Sequence, residues 1–429
     1  MRTPSTATSA AKSSAEAGWR IDLPCPQCGA PVALEETDRL LQCEFCRVRL
    51  TISIDGTPRY HLPPRSGDAE TIYVPYWRLK GQLFSCVGEE VRSGILDRTR
   101  CAISLEGMPC SLGVRPQAMR LRFVAPETPG RFLRPQMQLE NLLASCDGSA
   151  GNEEQERIYC EAFIGETASL IYQPVRIEGG LLDAITGQRI GPPPDPALDA
   201  KQYLAAEELS GVRFLPPLCP ECGWNLEGER DSLALICRTC GRAWSVAAGR
   251  YHRLEASVVR AEGAASYYLP FWRIRPTIQG VPLSTFADLA RIANFPKIVR
   301  PEWESRELCF WTPAFKLLGS QFLRVAQILT ISQPEAEALS PDTGPSLAQE
   351  AVIHPVTLPA QEAAESLIAL LAQMASAKVI FFPKLPGIHL ESFEAHLVLI
   401  PFLESRNEIH HPGLAICLNR NLLTYGRNL

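Results

Sequence analysis

Eight of the chain's 15 cysteines fall into four CxxC pairs: Cys25/Cys28, Cys43/Cys46, Cys219/Cys222 and Cys237/Cys240. A CxxC turn sets two sulfurs on one side of a cation, and its backbone N–H groups point at them. Two such turns complete a tetrahedron of thiolates, the coordination that zinc takes in closed, structural sites. Fourteen residues separate Cys28 from Cys43 and Cys222 from Cys237, enough for a short hairpin to bring the second pair round to the first. Gly29 and Gly223, directly after the first pair of each set, suit the positive φ that such a turn requires. Cys25, Cys28, Cys43 and Cys46 are therefore expected to hold one ion, and Cys219, Cys222, Cys237 and Cys240 a second.

The runs CPQCG…CEFC and CPECG…CRTCG resemble the zinc-ribbon superfamily over roughly residues 23–55 and 217–250. That resemblance implies two structural zinc ions and carries no activity with it, because ribbons occur in many kinds of protein. Iron in a rubredoxin-like tetrahedron is an alternative occupant. Redox dithiols are another, although that use normally involves one CxxC near a βαβ unit. Arg47 stands where the second copy has Gly241, which is expected to loosen the first site's second turn without removing a ligand.

The elements around these cysteines are written twice. From the cysteines to Val74-Pro75-Tyr76-Trp77-Arg78 and its counterpart Leu269-Pro270-Phe271-Trp272-Arg273, the offset between copies moves only from 194 to 195. Tyr60-His61 and Tyr251-His252 fall between them in each copy. Further on, Phe132-Leu133-Arg134-Pro135 matches Phe310-Trp311-Thr312-Pro313, and Leu170 to Val175 matches Val398 to Phe402. The expected fold is α+β and β-rich: two tandem duplicated modules, each a four-cysteine zinc ribbon followed by an antiparallel β-rich domain with few helices. The expected boundaries are a disordered tail over 1–18, ribbon 1 over 19–58, module 1 over 59–190, a Pro-rich linker and short helix over 191–213, ribbon 2 over 214–254 and module 2 over 255–429.

Particular segments refine this. Val48 to Ile54 alternates like a strand and ends at Asp55-Gly56. Residues 361–377 are helix formers with one apolar face, and Val379 to Phe382 reads as a strand. Trp77 and Trp272 are expected in core strands, with Pro75 and Pro270 at an edge or bulge.

Composition bounds what these parts do. With 46% hydrophobic and 21% charged residues the chain is a globular protein, and a formal charge of -5 argues against a protein built to coat nucleic acid. The seven scattered cysteines are odd in number and fit buried thiols in a reducing cytosol. Residues 1–18 lack the apolar core of a secretory signal, and no run of 18 apolar residues exists to insert in a membrane.

Eight arginines between Arg92 and Arg134 form the densest basic stretch. They are either a phosphate-tracking surface or, as Arg120 and Arg122 alternating with Leu121 and Phe123 suggest, the wet face of a strand. His389, His396, His410 and His411 match no metal spacing and read as loop residues. No phosphate loop, HExxH or G-x-S-x-G appears, so neither a catalytic residue nor a further cofactor site is expected.

As a whole the chain resembles uncharacterised bacterial proteins with paired CxxC zinc ribbons and Pro-aromatic-Trp strands, a likeness of architecture alone. The expected function is a zinc-stabilised cytoplasmic scaffold or adaptor whose partner is another protein. The alternative is nucleic-acid binding through the ribbons and the 91–134 arginines, and the oligomeric state is left open.

Overall fold

The computed structural model of the protein describes residues 19–137, 157–194, 198–209, 211–260, 267–293, 299–338 and 351–427. The expected tail over 1–18, the middle of the proline-rich linker and Cys146 lie outside these residues. In the first half β1 (Arg20–Pro24), β2 (Pro31–Glu35), β3 (Leu40–Gln42) and β4 (Arg49–Ser53) make the cysteine-bearing hairpins. Strands β1 and β2 also belong to a sheet completed by β5 (Arg59–His61), β6 (Ile72–Val87), β7 (Glu90–Cys101), β8 (Leu121–Phe123), β9 (Arg131–Phe132), β10 (Ile158–Ile177), β11 (Leu181–Asp183) and β12 (Arg189–Gly191), which they join through pairing of β1 with β8.

The second half opens with β13 (Arg213–Leu215), followed by β14 (Ala234–Ile236), β15 (Ala243–Ala247) and β16 (Arg250–Leu254), with Cys237 and Cys240 in the turn between β14 and β15. Its sheet comprises β17 (Ala256–Val258), β18 (Tyr267–Gln279), β19 (Phe310–Pro313), β20 (Glu337–Ala338), β21 (Val352–Ile353), β22 (His389–Ser405), β23 (Glu408–His410) and β24 (Cys417–Asn419). Helices are few and short: α1 (Arg115–Ala118), α2 (Phe286–Ala293), α3 (Pro301–Glu304), α4 (Gly319–Ser332), α5 (Ala360–Glu365), α6 (Leu367–Met374), α7 (Lys378–Phe381) and α8 (Arg420–Gly426). No helix of the described residues is long and apolar enough to cross a membrane.

Each sheet is organised round one long antiparallel pair, β6 with β10 and β18 with β22. Several hydrogen bonds and pairings around the two strand pairs correspond. Trp77 faces Leu170, and Trp272 faces Leu397. The indole N–H of Trp77 donates to the Met137 carbonyl, and that of Trp272 to the Leu358 carbonyl, both at 2.8 Å. Pro174 stands opposite Tyr73 as Pro401 stands opposite Tyr268, which places the Leu170–Val175 and Val398–Phe402 segments alike. The sheets are mixed, not antiparallel as expected. Short strands β5 and β17 run parallel to β10 and β22, and β9 and β21 run parallel to β6 and β18.

Two of the sequence matches do not survive this comparison. Phe310–Pro313 pairs with β18 as the end of β7 pairs with β6, so its counterpart is Arg98–Cys101, and Phe132 takes the place of Ile353. Tyr60-His61 lies in β5 of the sheet, whereas Tyr251-His252 lies in β16 of the second ribbon's hairpin. Both misread matches are short apolar or aromatic runs, common in any strand.

Pro75 and Pro270 sit in the central strands, at neither an edge nor a bulge. The carbonyl of Pro75 accepts from Ala102, where β7 departs, while that of Tyr73 accepts from Leu133, where β9 arrives. Pro270 and Tyr268 accept from Ala314 and His354 in the same way. The missing proline N–H therefore faces the gap where the neighbouring strand changes, and no ladder bond is lost. The tryptophans are buried as expected, Trp77 at 8% exposure and Trp272 at 4%.

The helices fill the space between the halves. Phe84, Cys86, Ala162 and Ile164, at the far ends of β6 and β10, share one apolar core with Phe322 of α4 and with α6. The Gln82 amide donates to the Leu317 carbonyl at 2.5 Å across the same seam. Helix formers over 361–377 give α5 and α6, broken at Ser366, whose hydroxyl donates to the Ala363 carbonyl. Val379–Phe382 is not a strand: α7 and a 3-10 segment, Phe382–Gly387, bury Phe381 and Phe382 against the core. A four-residue apolar run carries no period that separates strand from helix. In place of the short helix expected within 191–213, the described residues form two 3-10 turns, Ala200–Gln202 and Ala206–Glu208.

Candidate metal centres

The four CxxC pairs converge as two groups, Cys25, Cys28, Cys43 and Cys46 in one and Cys219, Cys222, Cys237 and Cys240 in the other. Within each group all sulfurs lie within 4.8 Å of one another. Cys25 to Cys46 is 3.8 Å, Cys28 to Cys43 is 3.7 Å, Cys219 to Cys240 is 3.6 Å and Cys222 to Cys237 is 3.4 Å. A metal–sulfur bond of about 2.3 Å sets the corners of a tetrahedron about 3.8 Å apart, so the cavity among the sulfurs fits a small divalent ion. A disulfide needs sulfurs at about 2 Å, and every one of these cysteines is free. Among the described residues no other His, Cys, Asp or Glu group meets the same criterion.

Local backbone explains the convergence. In each turn the first cysteine's N–H donates to the carbonyl five residues on, and its carbonyl accepts from the N–H four residues on. The residue four positions on must then adopt positive φ. Gly29 (73°), Gly223 (73°) and Gly241 (68°) do so freely, and Arg47 does so at 60°. The first site's second turn is not loosened by Arg47: Arg47 N–H reaches the Cys43 carbonyl at 2.9 Å, as Gly241 N–H reaches Cys237 at 2.8 Å. The cost appears as conformational strain, since an L-residue in this region gives up about 1–2 kcal/mol.

The turns make one thiol of each centre acidic, while Cys46 and Cys240 are pushed up to about 12, where burial and the neighbouring thiols outweigh the turn N–H groups. The N–H groups of Cys46 and Phe45, against the opposing effect of burial, bring Cys43 down to about 7. Burial works against Cys219, but the N–H groups of Cys222 and Glu221 and the Cys240 thiol bring it to about 7. A thiol that ionises near neutrality gives an arriving cation its first ligand. Each centre has two buried sulfurs on the protein side, Cys25 with Cys43 and Cys219 with Cys237.

The segments that carry the two cysteine clusters are joined to each other. Arg39 and Leu40 N–H groups both donate to the Arg230 carbonyl, at 2.5 and 2.8 Å, and Arg230 pairs with buried Asp38 at 2.5 Å. Thr51 and Tyr251 hydroxyls meet at 2.8 Å, and β13 adds to β4. Leu40, beside the first cluster, packs among Cys219, Cys237 and Trp244 of the second. None of these contacts has a local signature in sequence, because each joins residues far apart along the chain. The loop between Cys222 and Cys237 is fastened to the end of α8 by Arg427, which binds Asp231 through two nitrogens at 2.5 and 2.7 Å and Glu229 at 2.5 Å.

The remaining candidates fall elsewhere. Among the basic stretch, Arg92 pairs with Glu90, Arg115 with Asp183, Arg120 with Asp22 and Arg134 with Glu208, and Arg131 stacks on Tyr203. Leu121 is buried and Arg122 exposed on β8, the alternation expected of a half-solvated strand. His389 and His396 lie in β22 and His410 in β23, not in loops. Cys86, Cys101 and Cys309 are buried as expected, but Cys110 and Cys417 are exposed.

Comparison with family models, curated proteins and solved structures finds no match to the chain.

Proposed function

We propose that each cluster holds one structural zinc ion, and that the protein is a zinc-stabilised cytoplasmic scaffold or adaptor that binds another protein. Zinc is favoured over iron because it has no redox chemistry of its own and is the usual occupant of closed four-thiolate sites whose role is structural. The recurrence of several hydrogen bonds and pairings round both long strand pairs supports the reading of two duplicated modules of the zinc-ribbon type. The observation that carries the binding role is the placing of large aromatics on the metal turns. Phe45, between Cys43 and Cys46, is 69% exposed, and Trp224, two residues after Cys222, is 63% exposed. Exposed aromatics on a rigid frame are characteristic of protein contact sites. Affinity purification from the native cell tests this. Proteins retained by the wild type and lost from a Phe45→Ala/Trp224→Ala variant of unchanged zinc content support the role, and an identical set from both refutes it.

The nucleic-acid reading predicts binding that weakens steeply with salt. The carboxylate partners of Arg92, Arg115, Arg120 and Arg134 count against it, and a mobility shift absent with both DNA and RNA at low salt discards it.

A further inference from the structure

Matching positions on the two sheets carry different chemistry. In the first half Arg78, opposite Ser169, is 1% exposed and surrounded by groups of its own chain. It pairs with Asp97 and lies 3.7 Å from the Glu36 carboxylate. The Ser169 hydroxyl donates to that carboxylate at 3.3 Å, and the Trp19 ring covers the guanidinium at 4.0 Å. Trp19 and Glu36 thus come from the first ribbon to seal this place on the sheet.

The same register in the second half puts Arg273 opposite His396, and Arg273 opposite Trp311 where Arg78 has Thr99. Two residues before Trp311 stands Cys309, where the first half has Asp97 two before Thr99. The second ribbon is packed against the first and sends neither carboxylate nor indole here. Arg273 is exposed and, among the described residues, its guanidinium has no ion pair. An open pocket of about 470 Å³ remains, lined by Arg273, His396, Ser257, Cys309 and Arg275 among others. The Ser257 hydroxyl lies 2.6 Å from His396 Nε2. Three carboxylates also line the pocket: Glu307 and Glu394 bind Arg275, and Glu255, 72% exposed, lies 4.0 Å from Arg253. Arg273 is the cation left over.

We infer that this pocket receives a carboxylate from a partner protein, on an acidic segment that also carries an aromatic side chain, in the place Glu36 and Trp19 occupy in the first half. Arg273 supplies the charge-assisted hydrogen bonds, with the His396–Ser257 pair beside it as the polar wall that Ser169 provides round Arg78. The inference deepens the adaptor reading and rests on it.

The test titrates the zinc-loaded full chain into a fluorescein-labelled peptide with one tryptophan and two glutamates, read by anisotropy, alongside the same peptide with both glutamates replaced by glutamine. Saturable binding is expected for the first peptide and at least about ten-fold weaker binding for the second. The same loss is expected in Arg273→Ala, with partial recovery in Arg273→Lys. Zinc content and melting temperature should not change, because the side chain is exposed. Equal affinity for the two peptides, no binding of either, or full affinity in Arg273→Ala overturns the inference. In parallel, wild type and Arg273→Ala are compared by affinity purification. If both retain the same proteins, the adaptor reading stands and the pocket is not its contact. If wild type retains nothing, the adaptor reading fails and the titration alone decides whether the pocket binds carboxylates.

Discussion

Arg47 offers a direct probe of the metal turns. Four turns of one geometry place three glycines and one arginine in the left-handed region. The arginine side chain is exposed, so replacing it removes backbone strain without removing packing. An L-residue there costs about 1–2 kcal/mol. Glycine returns roughly 0.4–1 kcal/mol of this through the greater freedom of the unfolded chain. The difference leaves Arg47→Gly more stable by about 0.5–1 kcal/mol. Because folding of a ribbon is coupled to metal binding, the gain should appear as a roughly two- to five-fold higher zinc affinity of the first centre. Competition with a chelator, with the second centre as internal reference, measures it. The reverse change belongs in the same experiment. A Cβ added at Gly223 meets nothing within 4 Å, so Gly223→Ala isolates the conformational cost, and its affinity should fall by a similar factor. Arg47→Gly binding zinc no better than wild type, or Gly223→Ala binding no worse, would refute the argument that these turns need positive φ.

Three other outcomes follow from the geometry. Cys222→Ser should lower bound zinc from two ions per chain to one and make the second ribbon protease-sensitive; two ions and an unchanged melting temperature would contradict this. Arg427→Ala should cost about 1–3 kcal/mol in chemical denaturation, because Asp231, 8% exposed, loses its partner; a smaller loss than in an exposed pair such as Arg260→Ala would deny the clamp. His354 is buried beside Tyr267, and burial first, with the charge of Arg427, holds it down to about 3. The unfolded chain takes up this proton below about pH 6.5, so stability falls as pH drops from there towards 3, by about 2 kcal/mol at pH 5. His354→Gln should be less stable at pH 7 yet lose less than wild type between pH 7 and pH 5, and parallel losses would disprove it.

The two four-cysteine clusters and the burial of Trp77 and Trp272 in core strands could be read from sequence because each is fixed locally. CxxC spacing sets a turn, and a run such as Ile72 to Trp77, buried on both faces, leaves a continuous apolar and aromatic signature. What escaped was set by distant contact. Val379 to Phe382 is helical where Phe381 and Phe382 enter a core that residues of both halves share, not because of anything within the run. The parallel strands β5, β9, β17 and β21 are two or three residues long, too short for a period to identify their direction. The joining of the two cluster-bearing segments depends on Asp38 meeting Arg230 and Leu40 meeting Trp244, and neither side of those contacts is unusual by itself. Tyr60-His61 and Tyr251-His252 show the opposite hazard, identical dipeptides doing different work in β5 and β16.

X-ray absorption at the zinc edge, with metal quantified in the same sample of protein purified under reducing conditions, addresses the central claim most directly. The expected result is two zinc ions per chain, each surrounded by four sulfur atoms at about 2.3 Å. Iron in place of zinc, nitrogen or oxygen among the nearest atoms, or protein that keeps its fold with no metal bound would contradict it.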